Sequence, residues 1–174
     1  MEALMFLTEK RDKSIKGRMV YNGKPTQEWL SREDSASPTA ALESIMLTAI
    51  VDAKEGRDVM TADIPNAFIQ ALMPEVEDGD ERVIMKITGV LVDLLVELAL
   101  ESYGPKAVFE NGKKVLYVQV LRPLYGLLVA SLLWYKQFRG DLEETGYEFN
   151  PYDACVANKP VEGKQHTVIL ISCG

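Results

Sequence analysis

The sequence predicts an α+β fold in which a mixed, mostly antiparallel sheet packs on helices. Strand-like segments are joined by short turn signals at Asn22-Gly23, at Asn111-Gly112 and over residues 160–164. Apolar stripes at helical spacing separate these hairpins. Short turns join antiparallel strands, whereas parallel strands need a long crossover. A doubly wound parallel sheet is therefore disfavoured.

The first part of the chain predicts a hairpin over residues 16–30, followed by a helix. Ser37 suits the N-cap of this helix, and Pro38 suits its first position. Gly56 predicts its end. One side of the helix carries an apolar stripe, formed by Leu42, Ile45, Met46, Ala49 and Ile50.

The middle of the chain predicts a buried strand over residues 57–64 and then a helical turn from Ala67 to Leu72. After an acidic loop, alternating apolar residues predict a strand over 81–87. A helix over 90–102 follows. Its wet side carries acids at a spacing of one helical turn, namely Asp93, Glu97 and Glu101.

The last part predicts a hairpin over 108–120, a long helix from Tyr125 to Thr145, and closing strands over 154–159 and 166–172. Gly146 predicts the end of the long helix. The candidates for its inward side are Leu127, Trp134, Phe138 and Leu142.

The composition is that of an acidic globular protein. The chain has 174 residues, a net charge of −7 and 47% hydrophobic residues, enough for one domain with a core, with or without a small subdomain. No apolar stretch predicts a membrane span, and no targeting signal is predicted. Cys155 and Cys173 form neither a disulfide framework nor a zinc pattern, which favours a reducing compartment.

The charge is unevenly distributed along the chain. Residues 9–24 hold six cations and two acids, whereas residues 75–101 hold eight acids and two cations. The acidic balance argues against nucleic acid as a partner, because phosphate binding needs Lys and Arg. The basic stretch is compatible with a basic face, although on charge alone two solvated surfaces are the better explanation.

Several familiar catalytic patterns are missing from the sequence. It has no Gly-rich phosphate loop before a helix. The single histidine, His166, has no G-x-S-x-G serine to pair with, and we expect it to be a strand residue near the surface. Neither Cys155 nor Cys173 has a histidine or a basic neighbour that would activate its thiol.

The sequence leaves two roles open for Asp63. It ends the predicted strand over 57–64, and burying an unpaired carboxylate is costly. As a structural residue it would cap the helical turn that follows. As a functional residue it would bind a hard divalent cation. A two-metal site needs more carboxylates, and strand alternation points Asp58 to the opposite face, so a second ligand must come from elsewhere.

Several blocks of the sequence follow one another in an order typical of one protein family. KGRMVYNGKPTQEW matches a K-x-R-L-V-x-x-G hairpin, and SASPTAALESIMLTAI matches the segment and helix before the palm. DIPNAFIQA matches D-V-x-N-A-F-L-x-G, and LRPLYGLLVASLLWYKQF matches the L-Y-G-L block that ends in W-Y. GYEFNPYDACVANK matches the stretch before the last palm hairpin. Together, over residues 16–170, these blocks resemble the reverse transcriptase domain of copia-type retrotransposons.

The resemblance implies a right-hand polymerase fold and RNA-directed DNA polymerase activity. Residues 1–56 would form an N-terminal, fingers-like part, and residues 57–174 a palm-like part with the thumb missing. The family transfers nucleotides with two Mg²⁺ ions. The implied partners are an RNA or DNA template-primer and deoxynucleotides, with no membrane, and the implied location is intracellular, in a cytoplasmic virus-like particle or the nucleus.

The resemblance also assigns roles to the block around Asp63. Asp63 would bind both magnesium ions, and the backbone carbonyl of Ile64 would bind one of them. Asn66 and Ala67 would flank the nucleotide pocket. Phe68 matches the aromatic residue that lies beneath the incoming sugar, and its structural alternative is a core aromatic.

Further roles fall on residues distant from that block. Lys16 and Arg18 would hold the triphosphate, because phosphoryl transfer requires positive charge. Tyr125 and Gly126 would pack on template and nucleotide. The structural alternatives are solvated cations for Lys16 and Arg18, and a core aromatic for Tyr125.

The sequence departs from the family pattern at its end and in its middle. Cys173-Gly174 stand where the family has adjacent aspartates, and a thiolate suits magnesium poorly. Leu128 and Val129 are apolar where the family is polar. We therefore expect a truncated copy without polymerase activity. The alternatives are an intact enzyme of which this chain is an incomplete record, and a non-catalytic nucleic-acid-binding or protein-interaction module on a remnant palm.

Overall fold

A computed structural model describes residues 2–23, 31, 35–75 and 82–171. The chain divides into two compact units: unit 1 comprises Met1–Ser31 and Leu72–Ala130, and unit 2 comprises Arg32–Ala71 and Ser131–Gly174. The α+β class with antiparallel sheets is confirmed. The described strands form three small sheets rather than one, because each sheet is built on a local hairpin. The fingers-like and palm-like assignments remain predictions.

Unit 1 begins with an antiparallel hairpin of β1 (Ala3–Glu9) and β2 (Ile15–Tyr21). The predicted hairpin over 16–30 has its first arm in β2, and its second arm, 24–30, lies outside the described residues. The partner that β2 has is β1, upstream of it. No strand was predicted at β1.

The second sheet of unit 1 has the strand order β3 (Ile84–Thr88), β5 (Lys113–Gln119), β4 (Val108–Glu110). The predicted turn at Asn111-Gly112 is confirmed, with the positive φ angles, 48° and 74°, that a tight hairpin turn requires. The predicted helix over 90–102 is confirmed as α3 (Val90–Leu98) and α4 (Leu100–Tyr103). The buried side chains of unit 1 include Tyr21, Met85, Ile87, Val92, Val115, Leu116, Val120 and Leu127.

Helix α1 of unit 2 spans Leu42–Glu55 and ends at Gly56, whose φ of 63° confirms the predicted C-terminal glycine. The predicted start is wrong, because Ala41 is the N-cap instead of Ser37. The Ala41 N–H donates to a side-chain oxygen of Asp153, at 3.0 Å. A carboxylate distant in sequence thus replaces a local cap.

The other helices of unit 2 are the single turn α2 (Ala67–Gln70) and α5 (Ala130–Glu144). Helix α2 begins at the predicted Ala67 and ends two residues before the predicted Leu72. Helix α5 begins later than the predicted Tyr125, because Gly126 has a φ of 89° and interrupts any helix there. The end of α5 is confirmed. Gly146 N–H donates to the Glu143 carbonyl and Tyr147 N–H to the Leu142 carbonyl, the bonds of a Schellman motif.

The sheet of unit 2 has the strand order β6 (Glu148–Phe149), β7 (Val156–Val161), β8 (Lys164–Ile169). The closing pair of strands is therefore confirmed. A buried cluster of Ala40, Tyr135 and Cys155 lies nearby in this unit, packed by Ile45, Leu132, Ile169 and Leu170. The Tyr135 hydroxyl donates to the Ala154 carbonyl at 2.8 Å, so its burial costs no unmade hydrogen bond.

The predicted buried strand over 57–64 is wrong. The segment 57–64 is not a strand, and its apolar residues Val59 and Met60 are 74% and 86% exposed. The apolar stripe of α1 is exposed at Leu42, Met46, Ala49 and Ile50, whereas its fifth member, Ile45, is half-buried and packs on the buried cluster. An apolar pattern indicates which side of a segment is suited to burial, whereas tertiary packing decides whether that side is buried. Among the described residues, no helix is long and apolar enough to cross a membrane.

Candidate functional site

Asp63 lies on the irregular segment before α2, and its side chain is exposed. The premise of a buried strand end is therefore wrong, and no desolvation cost arises there. Asp63 is also not a helix cap. The N-cap of α2 is Asn66, in a left-handed conformation with φ of 53° and without a side-chain capping bond. Of its predicted roles, only that of an exposed metal ligand remains a prediction.

The residues that follow Asp63 turn inward. Ile64 and Ala67 are half-buried, and Phe68 is 8% exposed. The Gln70 side chain donates to the Pro65 carbonyl at 3.0 Å, which closes the turn. Burial of Phe68 agrees with its alternative reading as a core aromatic, while contact with a nucleotide sugar stays a prediction.

A magnesium site would need several converging oxygen ligands. In the described parts of the chain, no group of three or more Asp, Glu, His or Cys residues is placed to hold a metal ion. Cys173 and Gly174 lie outside the described residues. Magnesium binding at Asp63 therefore stays a prediction.

In unit 1 the structure brings together residues that were predicted from separate blocks. Arg18 of β2 places its guanidinium 5.2 Å from the centre of the Tyr125 ring, a cation–π contact. The Tyr21 N–H donates to the Tyr125 carbonyl at 2.8 Å. Lys16 and Arg18 are both exposed and, two residues apart on a strand, face the same side.

Because Gly126 has no side chain, the backbone of residues 125–126 approaches the backbone of residues 21–23 closely. A Cβ added at Gly126 would overlap the Tyr21 carbonyl oxygen, and one added at Gly23 would overlap the Gly126 carbonyl oxygen. The φ of Gly126, 89°, also excludes most other residues. Glycine is therefore required at both positions for the backbone segments to touch. We call residues 21–23 and 125–126, with the Arg18 side chain, the glycine junction.

Sequence reasoning missed two polar clusters. In unit 1, Glu110 accepts hydrogen bonds from Lys86 Nζ and the Tyr117 hydroxyl, both at 2.6 Å. The Lys86 hydrogen bond lowers the pKa of Glu110, and the bond to Glu110 raises the pKa values of Lys86 and Tyr117. The cross-strand register of β3, β4 and β5 creates this cluster, so only the strand pairing could reveal it.

The second missed cluster lies in unit 2, around Asp153. Its carboxylate accepts from the side chain of Ser44 and from the backbone N–H groups of Cys155 (2.9 Å) and Ala41 (3.0 Å). These bonds, with that of Ser44 the largest, lower the pKa of Asp153. Asp153 is the aspartate of the GYEFNPYDACVANK block, and here it joins α1 to the start of β7.

The structure describes two of the three remaining candidates, His166 and Cys155. His166 is exposed near the start of β8, as predicted for a surface strand residue. Cys155 is a free, buried cysteine, whereas Cys173 lies outside the described residues. The predicted site residues fall in both units: Lys16, Arg18, Tyr125 and Gly126 in unit 1, and Asp63, Ile64, Asn66, Ala67 and Phe68 in unit 2.

No protein-family model matches the chain, and neither does any curated protein or solved structure. The family resemblance therefore rests on the sequence blocks quoted above. The activity, metal ions and partners that it implies are carried forward as proposals.

Proposed function

We propose that the chain is part of a reverse transcriptase domain of the copia retrotransposon type, and that this chain by itself does not polymerise DNA. The glycine junction supports the first part. It joins the block of Lys16 and Arg18 to the block of Tyr125 and Gly126, which are about a hundred residues apart in the sequence. Both blocks carry predicted nucleotide-binding residues.

The chemistry of the junction suits an anionic ligand. The Arg18 guanidinium is held over the Tyr125 ring, which restricts its motion while the side chain stays exposed. Lys16 extends from the same side of β2 and adds a second charge. Such a pair, on a strand tied by backbone contacts, provides the positive charge that a triphosphate needs.

The absence of polymerase activity is proposed from the surroundings of Asp63. Its carboxylate is exposed, and within the described residues no acidic cluster completes a metal site. Without converging ligands, the ions that position the reacting oxygens are not held. We expect no primer extension by the purified chain with Mg²⁺ on a primed RNA template. The same assay with Asp63→Asn is the control, and synthesis that Asp63→Asn abolishes would contradict the proposal.

The second candidate function is that of a non-catalytic nucleic-acid-binding module. The observation in its favour is the β1–β2 hairpin, which carries exposed cations on β2 and in its turn, namely Lys10, Arg11, Lys13, Lys16 and Arg18. Cross-strand register also places Phe6 opposite Arg18, so an exposed aromatic shares a face with the cations. Basic groups with an aromatic platform suit single-stranded nucleic acid.

We expect weak, salt-dependent binding of a labelled single-stranded oligonucleotide, with a dissociation constant on the order of 10⁻⁴–10⁻⁶ M near physiological salt. Lys16→Ala and Arg18→Ala should each make the negative slope of log K against log salt less steep by about 0.7. Fluorescence anisotropy measures both quantities. The matched control is Lys136→Ala, which removes an exposed lysine of α5. Binding that is independent of salt, or equal losses in the control, would reject this function.

A further inference from the structure

Helix α1 exposes its apolar side. Leu42, Met46, Leu47 and Ile50 are between 58% and 65% exposed. At 100° per residue, Met46 and Ile50 occupy the middle of one face, with Leu42 and Leu47 at its margins. We call these four residues the α1 face. Contiguous exposed apolar surface of this kind marks an interaction site more often than isolated exposed residues do.

Polar contacts on the opposite side hold α1 in this orientation. The side chain of Ser44 donates a hydrogen bond to the Asp153 carboxylate, and the Ala41 N–H at the start of the helix donates to the same carboxylate at 3.0 Å. Ile45 packs on the buried cluster of unit 2. Rotating the helix to bury the α1 face would break these contacts, so the apolar side stays outward.

The α1 face has a charged residue at each end. Glu43 lies in the first turn of α1 and Lys54 in the last, both exposed. Viewed down the helix axis, Glu43 and Lys54 both lie within about 45° of Ile50, so both are on the side of the α1 face. In the described part of the chain, neither takes part in a salt bridge. The face is thus apolar in its centre, acidic at one end and basic at the other.

We propose that the α1 face binds the α1 face of a second copy of this chain, with the two helices antiparallel about a twofold axis. A twofold interface must be self-complementary. Antiparallel pairing sets Glu43 of each copy against Lys54 of the other, twice, while Met46, Leu47 and Ile50 meet at the centre. Parallel pairing would instead oppose like charges. The inference does not depend on the proposed function.

The size of the interface sets the expected strength. One helix face buries less than the roughly 800 Å² per partner of a standard interface, which places the dimer in the transient class. Sedimentation of the full chain should therefore show a monomer–dimer equilibrium at micromolar concentration. Ile50→Glu should abolish the dimer, because it introduces a charge on each side of the apolar centre.

Charge reversal tests the antiparallel arrangement. Glu43→Lys and Lys54→Glu should each weaken the dimer about tenfold, since each converts both pairs to like charges. The two reversals together should restore it. Reversal also opposes the helix dipole, but that effect accumulates in the double variant, so recovery reports pairing between copies. Circular dichroism checks that every variant is folded.

The matched control is Leu98→Glu, which alters a residue of α3 that is 83% exposed and should leave the dimer unchanged. A chain that stays monomeric throughout overturns the proposal. If Ile50→Glu still forms the dimer, the proposal is also overturned, because the dimer then forms through a surface other than the α1 face. Failure of the double reversal to restore binding overturns the antiparallel pairing.

Discussion

Replacing Gly126 with alanine is expected to destabilise the protein by about 2–5 kcal/mol, because backbone strain and overpacking act together. The φ of Gly126 is 89°, where a Cβ is strained. The added Cβ would also overlap the Tyr21 carbonyl oxygen. Backbone cannot move aside as a flexible side chain does, so the Tyr21–Tyr125 hydrogen bond would be lost with the contact. Urea denaturation measures the free energy of unfolding.

Gly112→Ala is the matched control in the same unit. Gly112 has a φ of 74°, yet an added Cβ would meet nothing within 4 Å. It should therefore cost only about 1 kcal/mol, from backbone strain alone. Gly23→Ala should cost more than Gly112→Ala but less than Gly126→Ala, because its Cβ would overlap the Gly126 carbonyl oxygen without the strain of a positive φ. Equal losses at Gly112 and Gly126 would argue against the glycine junction.

Replacing Asp153 with alanine is expected to cost about 1.5–3 kcal/mol, the range for hydrogen bonds to a charged group. The carboxylate serves the N–H groups of Ala41 and Cys155 and the side chain of Ser44. Without it, the first turn of α1 loses its cap, which here comes from another part of the chain. Asp153→Asn retains an acceptor oxygen and should cost less than alanine.

The stability lost on substituting Asp153 should depend on pH. Hydrogen bonds, first that of Ser44, lower the pKa of Asp153 in the folded chain. A lowered pKa means that the carboxylate stabilises the fold fully above its ordinary pKa of about 3.9, and that this stabilisation is lost as the pH falls through the folded value. The difference between wild type and Asp153→Asn should therefore be constant near neutral pH and shrink below about pH 4. An unchanged difference in acid would contradict the role of the charge.

Features with a strong local cause were predictable from sequence. Gly56 and Gly146 end their helices because glycine adopts the left-handed conformation there at little cost. Asn111-Gly112 turns its hairpin for the same reason. The block around Asp63 was also visible as a motif, although the exposure of its carboxylate was not.

The errors share a cause. The start of α1 was predicted from Ser37, but its first turn is capped by Asp153, more than a hundred residues away. The segment 57–64 has the apolar composition of a strand, yet no neighbouring strand pairs with it in the described chain. A β-strand forms only where a neighbouring strand pairs with it, and a helix end is capped only where a hydrogen-bond acceptor lies within reach of its N–H groups.

By itself, the sequence determined the elements whose cause lies within a few residues: the turns, the helix ends, the α+β class and the blocks that suggest a family. Tertiary structure alone decided which surfaces are covered and which distant groups meet. The outward α1 face, the glycine junction and the Asp153 cluster all belong to this second group. The physical reason is that backbone conformation responds to local sterics and hydrogen bonding, whereas burial and long-range contact depend on what the rest of the chain brings to that place.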